Sequence, residues 1–149
     1  MASFIGKYDG KLDDKGRVPI PAPYRKRFDD NDKDQMVCRY DADLCCLNLF
    51  TLSAWEKEYE EIQEKFDYHK KEDKIFLQQI LQEAYYVDID SVGRILLNKE
   101  LKGKINIENE VVFTGMGKYI TISNKETRKE NNLSAEELEE IYNTKMRKQ

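Results

Sequence analysis

Two short stretches hold the charged residues whose spacing could do chemistry. Leu12-Asp13-Asp14-Lys15-Gly16-Arg17-Val18 and Ile89-Asp90-Ser91-Val92-Gly93-Arg94-Ile95 share one pattern at an offset of 77 residues: apolar, Asp, two variable residues, Gly, Arg, apolar. In each, an aspartate stands four residues before an arginine across a reversal of the chain, so the carboxylate can meet the guanidinium and orient the loop. Asp13 and Asp90 are the loop-orienting candidates, with Gly16 and Gly93 able to supply a positive φ where the chain turns. Arginine carries a planar fork that matches O6 and N7 of guanine in a major groove, while lysine serves phosphates or guanine. Arg17, Arg94 and Lys15, the last at the apex of the first turn, are therefore candidate nucleic-acid contacts. Lys11, Arg25, Lys26 and Arg27 flank the first turn and suit phosphate positioning. The same spacing also fits two structural ion pairs that merely hold two turns, and Arg25 to Arg27 also fit a solvated helix face.

Catalytic and metal chemistry is poorly served. The single histidine, His69, lies in the charged stretch Asp67-Tyr68-His69-Lys70-Lys71, with no set of partners for a triad and no zinc signature. Cys45 and Cys46 are adjacent and lack the C-x-x-C spacing that lets two thiolates share a metal. With Cys38 they make an odd number, which implies no disulfide framework and fits a reducing compartment. Gly115-Met116-Gly117-Lys118 is followed by no helix pattern and no Gly-Lys-Ser/Thr, so it reads as a hairpin turn. The expectation is a non-enzyme with no cofactor, no metal and no small-molecule substrate.

The net charge of −4 over 149 residues conceals a strong alternation. Residues 1–28 carry seven Lys/Arg against three Asp, and residues 91–125 carry six basic against three acidic. Between them, 29–52 carry two against six and 53–90 five against eleven. Local field rather than net charge attracts a polyanion, and the basic regions open each half of the chain. No apolar run reaches the roughly 18 residues of a membrane span. MASFIGKYDG has no apolar core for a signal peptide, so a cytoplasmic location is expected.

These charged turns need elements to position them. Each half reads as strand, tight turn, strand, short helix, hairpin, long helix, which is a duplicated α+β unit. Pro19 confines Val18-Pro19-Ile20 to an edge or short strand, Pro21 suits a helix start, and Asn98 suits the matching cap. Met36-Val37-Cys38 with Leu47-Asn48-Leu49-Phe50, and Val111-Val112-Phe113 with Tyr119-Ile120-Thr121-Ile122, read as hairpins. Ser53-Ala54-Trp55-Glu56 reads as a capping box before a helix with Trp55, Tyr59, Ile62 and Phe66 on one face. A second helix is predicted from Lys71 to Ala84, with Ile75, Phe76, Ile80, Leu81 and Ala84 facing the core or another protomer. Ser134-Ala135-Glu136-Glu137 opens a C-terminal helix in the same way as Ser53.

Taken together, these residues resemble the MraZ family. The resemblance rests on the two Asp-x-x-x-Arg turns at this spacing, on Pro21 and Tyr24-Arg25 after the first, on Met36-Val37-Cys38, and on Trp55 after the hairpin; it covers residues 1–125. It implies two AbrB-like (SpoVT-AbrB type) half-barrel repeats, 1–52 and 85–125, joined by a helical hairpin at 53–84 and followed by a C-terminal helix and tail at 126–149. It also implies a nucleoid-associated homo-oligomer, a closed ring whose turns face double-stranded promoter DNA. The implied target is a set of repeated G-rich boxes before a cell-division and cell-wall gene cluster that includes the protein's own gene. Val92 replaces the basic residue that the first turn has at Lys15, so the second turn is expected to bind more weakly. An oligomeric protein-interaction scaffold without sequence-specific DNA binding is the alternative. Single-stranded RNA is disfavoured, because the aromatics lie on helix faces and strand interiors instead of among the basic turns.

Overall fold

Alternation along Lys7-Tyr8-Asp9-Gly10-Lys11 turns Tyr8 and Gly10 inward and the three charged residues outward, which makes strand β1 (Lys7–Lys11). The computed structural model describes residues 3–147. After the first turn comes β2 (Arg17–Pro19), ended by a proline that has no N–H for a ladder. Pro21 is the N-cap of α1 (Ala22–Arg25). β3 (Gln35–Asp41) and β4 (Cys46–Thr51) form a hairpin with Val37 opposite Phe50 and Cys38 opposite Leu49. Two helices follow, α2 (Leu52–Lys65) and α3 (Lys71–Leu81). The order then recurs: β5 (Ala84–Asp88), β6 (Arg94–Leu96), α4 (Lys99–Lys104), the hairpin β7 (Glu110–Gly115) and β8 (Ile120–Ser123), and α5 (Lys125–Glu130). The helix α6 (Ala135–Met146) comes last.

The strand partners cross between the halves. One six-stranded antiparallel sheet has the order β1-β7-β8-β4-β3-β5, and β2 with β6 makes a separate two-stranded ribbon. β1 thus joins the second hairpin, with Lys11 opposite Glu110, and β5 joins the first, with Asp88 opposite Gln35. The turn after β1 therefore links two sheets and does not close a hairpin between paired strands. Both halves fill one core, in which Phe4, Val18, Ile20, Met36, Leu47, Leu49, Ile95, Leu97, Phe113, Ile120 and Ile122 are nearly inaccessible to solvent. Tyr24, on α1, packs edge-on against Phe4 and Tyr8 and donates its hydroxyl to the Gly6 carbonyl at 2.6 Å. This holds α1 to the strand that leads into the first turn.

Three local details differ from the sequence expectation. Helix α2 begins two residues earlier than a Ser53 cap allows: Thr51 is the N-cap and accepts from the Ala54 N–H at 3.1 Å. Ser53 is engaged by the buried carboxylate of Asp32, which accepts from its hydroxyl at 2.9 Å and from its N–H at 3.1 Å. An anion at a helix N-terminus is favourable, and this one lies too far away in sequence for any local capping pattern to register. Helix α3 ends at Leu81, and Ala84 opens β5, because the ladder to β3 claims it opposite Arg39. On the helices themselves, α2 buries no side chain and α3 buries only Leu77, so Ile75 and Phe76 are left exposed. The expected caps at Asn98 and Ser134 are present, the latter as a full capping box with Glu137.

Candidate nucleic-acid interface

Each turn is organised by one carboxylate. Asp13 Oδ1 accepts from the backbone N–H of Lys15 at 3.0 Å and of Arg17 at 2.9 Å, and Oδ2 accepts from Arg17 Nε at 2.7 Å. Asp90 repeats this on Val92 N at 3.1 Å, Arg94 N at 2.9 Å and Arg94 Nε at 2.8 Å. The backbone closes identically, with Gly16 N donating to Asp13 O and Gly93 N to Asp90 O, both at 3.0 Å. Gly16 at φ +87° and Gly93 at +86° supply the left-handed residue that lets the chain leave each turn. Aspartate suits this role because its short side chain reaches the N–H two residues on. The N–H of Arg17, then its guanidinium, lower the Asp13 carboxyl below its ordinary pKa against a raising effect of desolvation, and Arg94 does the same to Asp90. Ion pairs this exposed contribute little to stability. Their effect is to fix a loop and a guanidinium.

Tertiary packing then sets the two turns together. In the β2–β6 ribbon Arg17 lies opposite Leu96, Val18 opposite Ile95 and Pro19 opposite Arg94. Val18 and Ile95 point into the core, so Arg17 and Arg94 share the outward face on a diagonal. Arg94 Nη1 also comes within 3.8 Å of Asp13 Oδ2, which ties the second arginine to the first turn's carboxylate. Each turn is anchored by the opposite half: Leu97 N donates to Gly16 O at 2.8 Å and Ile20 N to Gly93 O at 2.9 Å. The guanidinium of Arg25 lies over Gly93, where an added Cβ would meet Nη1 at 2.6 Å, while Arg25 Nε donates to Ile20 O at 3.0 Å.

Lys15 is fully on the surface at the apex of the first turn, and Val92 occupies that apex in the second. Lys26 and Arg27 are exposed at the end of α1. Lys11 is exposed on β1 opposite Glu110, so its immediate neighbour is acidic. Sequence reasoning passed over Lys102, whose Nζ is 3.8 Å from the Cβ position of Gly16. The signal was present, because the 77-residue offset carries Arg25 onto Lys102. Each turn therefore has a basic residue from the other half's short helix beside its glycine. His69 is exposed, and burial pushes the Cys38 and Cys46 thiols up to about 12.

The fold and this surface define a class: a mixed α+β protein that presents two rigidly braced arginines on one outward ribbon. Comparison with known proteins places it more closely. Residues 3–77, which include the first turn, match the model of the MraZ protein family, whose description adds an antitoxin-like label. A protein named "Transcriptional regulator MraZ" from Bacteroides thetaiotaomicron is 32% identical over 99% of this chain and 97% of its own length. Proteins of the same name are 31% identical in Thermomicrobium roseum, over 80% of each chain, and 33% identical in Photorhabdus laumondii, over 75% of this chain and 73% of that one. The chain belongs to the MraZ family.

Proposed function

We propose that this chain is a sequence-specific double-stranded DNA-binding transcriptional regulator with no enzymatic role. The observation that carries the reading is the placement of Arg17 and Arg94 on one outward ribbon face, each held at Nε by a carboxylate. Nε contact leaves both outer Nη groups of Arg17 as the donors an external acceptor would meet, while Nη1 of Arg94 also faces Asp13, and a pre-oriented fork is what bidentate recognition of a guanine edge requires. Lys15 reaches phosphate or base beside Arg17, while Arg25, Lys26, Arg27 and Lys11 position the backbone. The names of its relatives, transcriptional regulators, support a regulatory role. In this reading the recurring element order is a pair of AbrB-like half-barrels, and copies close into a ring in the cytoplasm on the nucleoid. The DNA is the promoter of a cell-division and cell-wall cluster that includes the chain's own gene, with short G-rich boxes as the sites.

The test is a salt-dependent gel shift on the DNA upstream of the reading frame, against scrambled duplex and single strands. Preference for the native duplex is expected. Equal affinity for scrambled duplex leaves the reading without support, and no binding to any nucleic acid favours an interaction scaffold. Arg17→Ala is expected to cost about 1–3 kcal/mol and to flatten discrimination between a box and a mutated box. Lys26→Ala is expected to weaken all duplexes alike and reduce the salt slope by about one. An Arg17→Ala chain that folds and keeps its specificity ends the assignment.

A further inference from the structure

Lys102 belongs to the second half's short helix, yet its ammonium lies at the first half's turn. Its backbone is fixed on both sides: the N–H donates to Asn98 O at 2.9 Å, and the carbonyl accepts from Ile107 N–H at 3.1 Å. Leu101, the preceding residue, is buried in the core. The side chain therefore leaves α4 from a fixed place, and Nζ comes within 3.8 Å of the Cβ position of Gly16. Leu96 Cδ1 is 3.6 Å from the same point, so one apolar and one charged group cover the turn glycine.

Nothing in the chain neutralises that charge. Among the described residues Lys102 Nζ has no ion pair and no hydrogen bond. Asp13, the carboxylate that organises this turn, is engaged by Arg17 and Arg94. Lys104, two residues on in the same helix, is by contrast bound to Glu83 at 3.0 Å. Arg25 holds the equivalent place over Gly93, but its Nε donates to Ile20 O at 3.0 Å. The two halves thus differ here in residue type and in hydrogen bonding. What they share is a positive charge beside the turn glycine. A structural brace requires the bond, whereas a polyanion requires only the charge. Gly16 pairs with Leu97 and Gly93 with Ile20, so the two cations mark opposite ends of the ribbon with Arg17 and Arg94 between them.

We propose that Lys102 is a DNA phosphate contact, supplied by the second half of the chain to hold the duplex backbone against the first turn. This deepens the reading of the turns as a duplex interface and rests on it. Lysine suits the task because an ammonium is a compact point charge that needs no fixed fork. The first turn then carries two unpaired ammonium groups, Lys15 at its apex and Lys102 at its glycine. The second has Val92 at its apex and a guanidinium tethered to Ile20. The first turn is accordingly the anchored one, and its anchor comes from residues that a fragment of the first half alone would lack.

The experiment measures binding of the full chain to the duplex upstream of its reading frame and to a scrambled duplex, across a salt series. Lys102→Gln, which removes the charge and keeps most of the stem, is expected to flatten the slope of log affinity against log salt by about 0.9 on both duplexes. The affinity ratio between the duplexes should stay the same, and Lys102→Arg should restore the slope. Lys104→Gln removes a charge from the same helix and should leave the slope unchanged. Methylphosphonate substitution, one linkage at a time, supplies a second measurement. One linkage is expected to weaken the unchanged chain several-fold and to leave Lys102→Gln unaffected. An unaltered slope in a folded Lys102→Gln chain overturns the proposal, as does a changed affinity ratio, which would make Lys102 a base reader. An equal change in Lys104→Gln overturns it in favour of net charge. In these three outcomes the unchanged chain still binds its duplex, so the interface reading stands; failure of the unchanged chain to bind any duplex removes both.

Discussion

Because Arg94 approaches Asp13 at 3.8 Å as well as Asp90 at 2.8 Å, while Asp13 holds Arg17 at 2.7 Å, the two aspartates are not equivalent. Removing Asp13 loosens Arg17 outright and withdraws one of Arg94's two carboxylates; removing Asp90 leaves Arg17 untouched. Asp13→Ala is therefore expected to weaken DNA binding more than Asp90→Ala, even though each removes a negative charge from a surface meant for phosphates. Titration of a labelled promoter duplex checks the order, and tighter binding by Asp13→Ala would show that the carboxylate only repels. The pH dependence follows from the lowered pKa values of both groups, caused first by the N–H of the paired arginine. A depressed carboxyl contributes above its unfolded value, about 3.9, and loses that contribution as pH falls through its folded value. Both braces thus stay charged from pH 5 to 8, and the affinity lost in Asp13→Ala is expected to be constant across that range. A loss that shrinks between pH 7 and 5 would assign the brace to another group.

The turns and helix starts give the next scale its predictions. Both turn glycines sit at positive φ, where a Cβ costs about 1–2 kcal/mol. Their surroundings differ. A Cβ on Gly16 would meet the backbone carbonyl of Leu97 at 2.8 Å, and that residue's N–H is already bound to Gly16 O. On Gly93 it would meet the far end of Arg25, which can swing away. Gly16→Ala is expected to destabilise more than Gly93→Ala in urea unfolding, whereas Gly93→Ala should lose more DNA affinity for its stability because it displaces a proposed phosphate contact. At the start of α2, Thr51→Ala removes an N-cap and is expected to cost about 1 kcal/mol. Ser53→Ala leaves the buried Asp32 without a hydroxyl donor and is expected to cost about 1–3 kcal/mol. If Ser53→Ala proves neutral while Thr51→Ala does not, the Asp32 contact is dispensable.

For the whole molecule the problem is a net charge of −4 in a chain proposed to bind a polyanion. Basic residues outnumber acidic ones in 1–28 and 91–125, the segments that carry the ribbon, and the most acidic segment, 53–90, is largely the α2–α3 hairpin. One ribbon offers only a few base and phosphate contacts. A ring that repeats the ribbon turns later contacts into intramolecular ones at high effective concentration. Affinity is expected to fall far more than additively when all boxes but one are deleted from the promoter, and sedimentation is expected to show an assembly larger than a dimer. A monomer at working concentration, or equal affinity for one box and for several, would remove the ring from the mechanism.

What the residues alone determined is whatever depends on neighbours a few positions away. The carboxylate-braced turns, the Asn98 and Ser134 caps, the short proline-bounded strand and the two hairpins are all local, and so is the repeat that pairs Arg17 with Arg94. What only the tertiary structure decided is how the halves share strands. The alternation in Lys7–Lys11 is the same whether β1 joins its own hairpin or the other, and pairing with β7 across about a hundred residues is chosen by the common core. That exchange sets β2 against β6, brings the two turns onto one face, carries Arg94 to Asp13, and lays Arg25 and Lys102 over the opposite turns. The Asp32 contact with Ser53 escaped for the same reason, since helix capping from 21 residues away leaves no mark in a local pattern. Local electrostatics made each arginine a candidate; the cross-paired core made the two of them a surface.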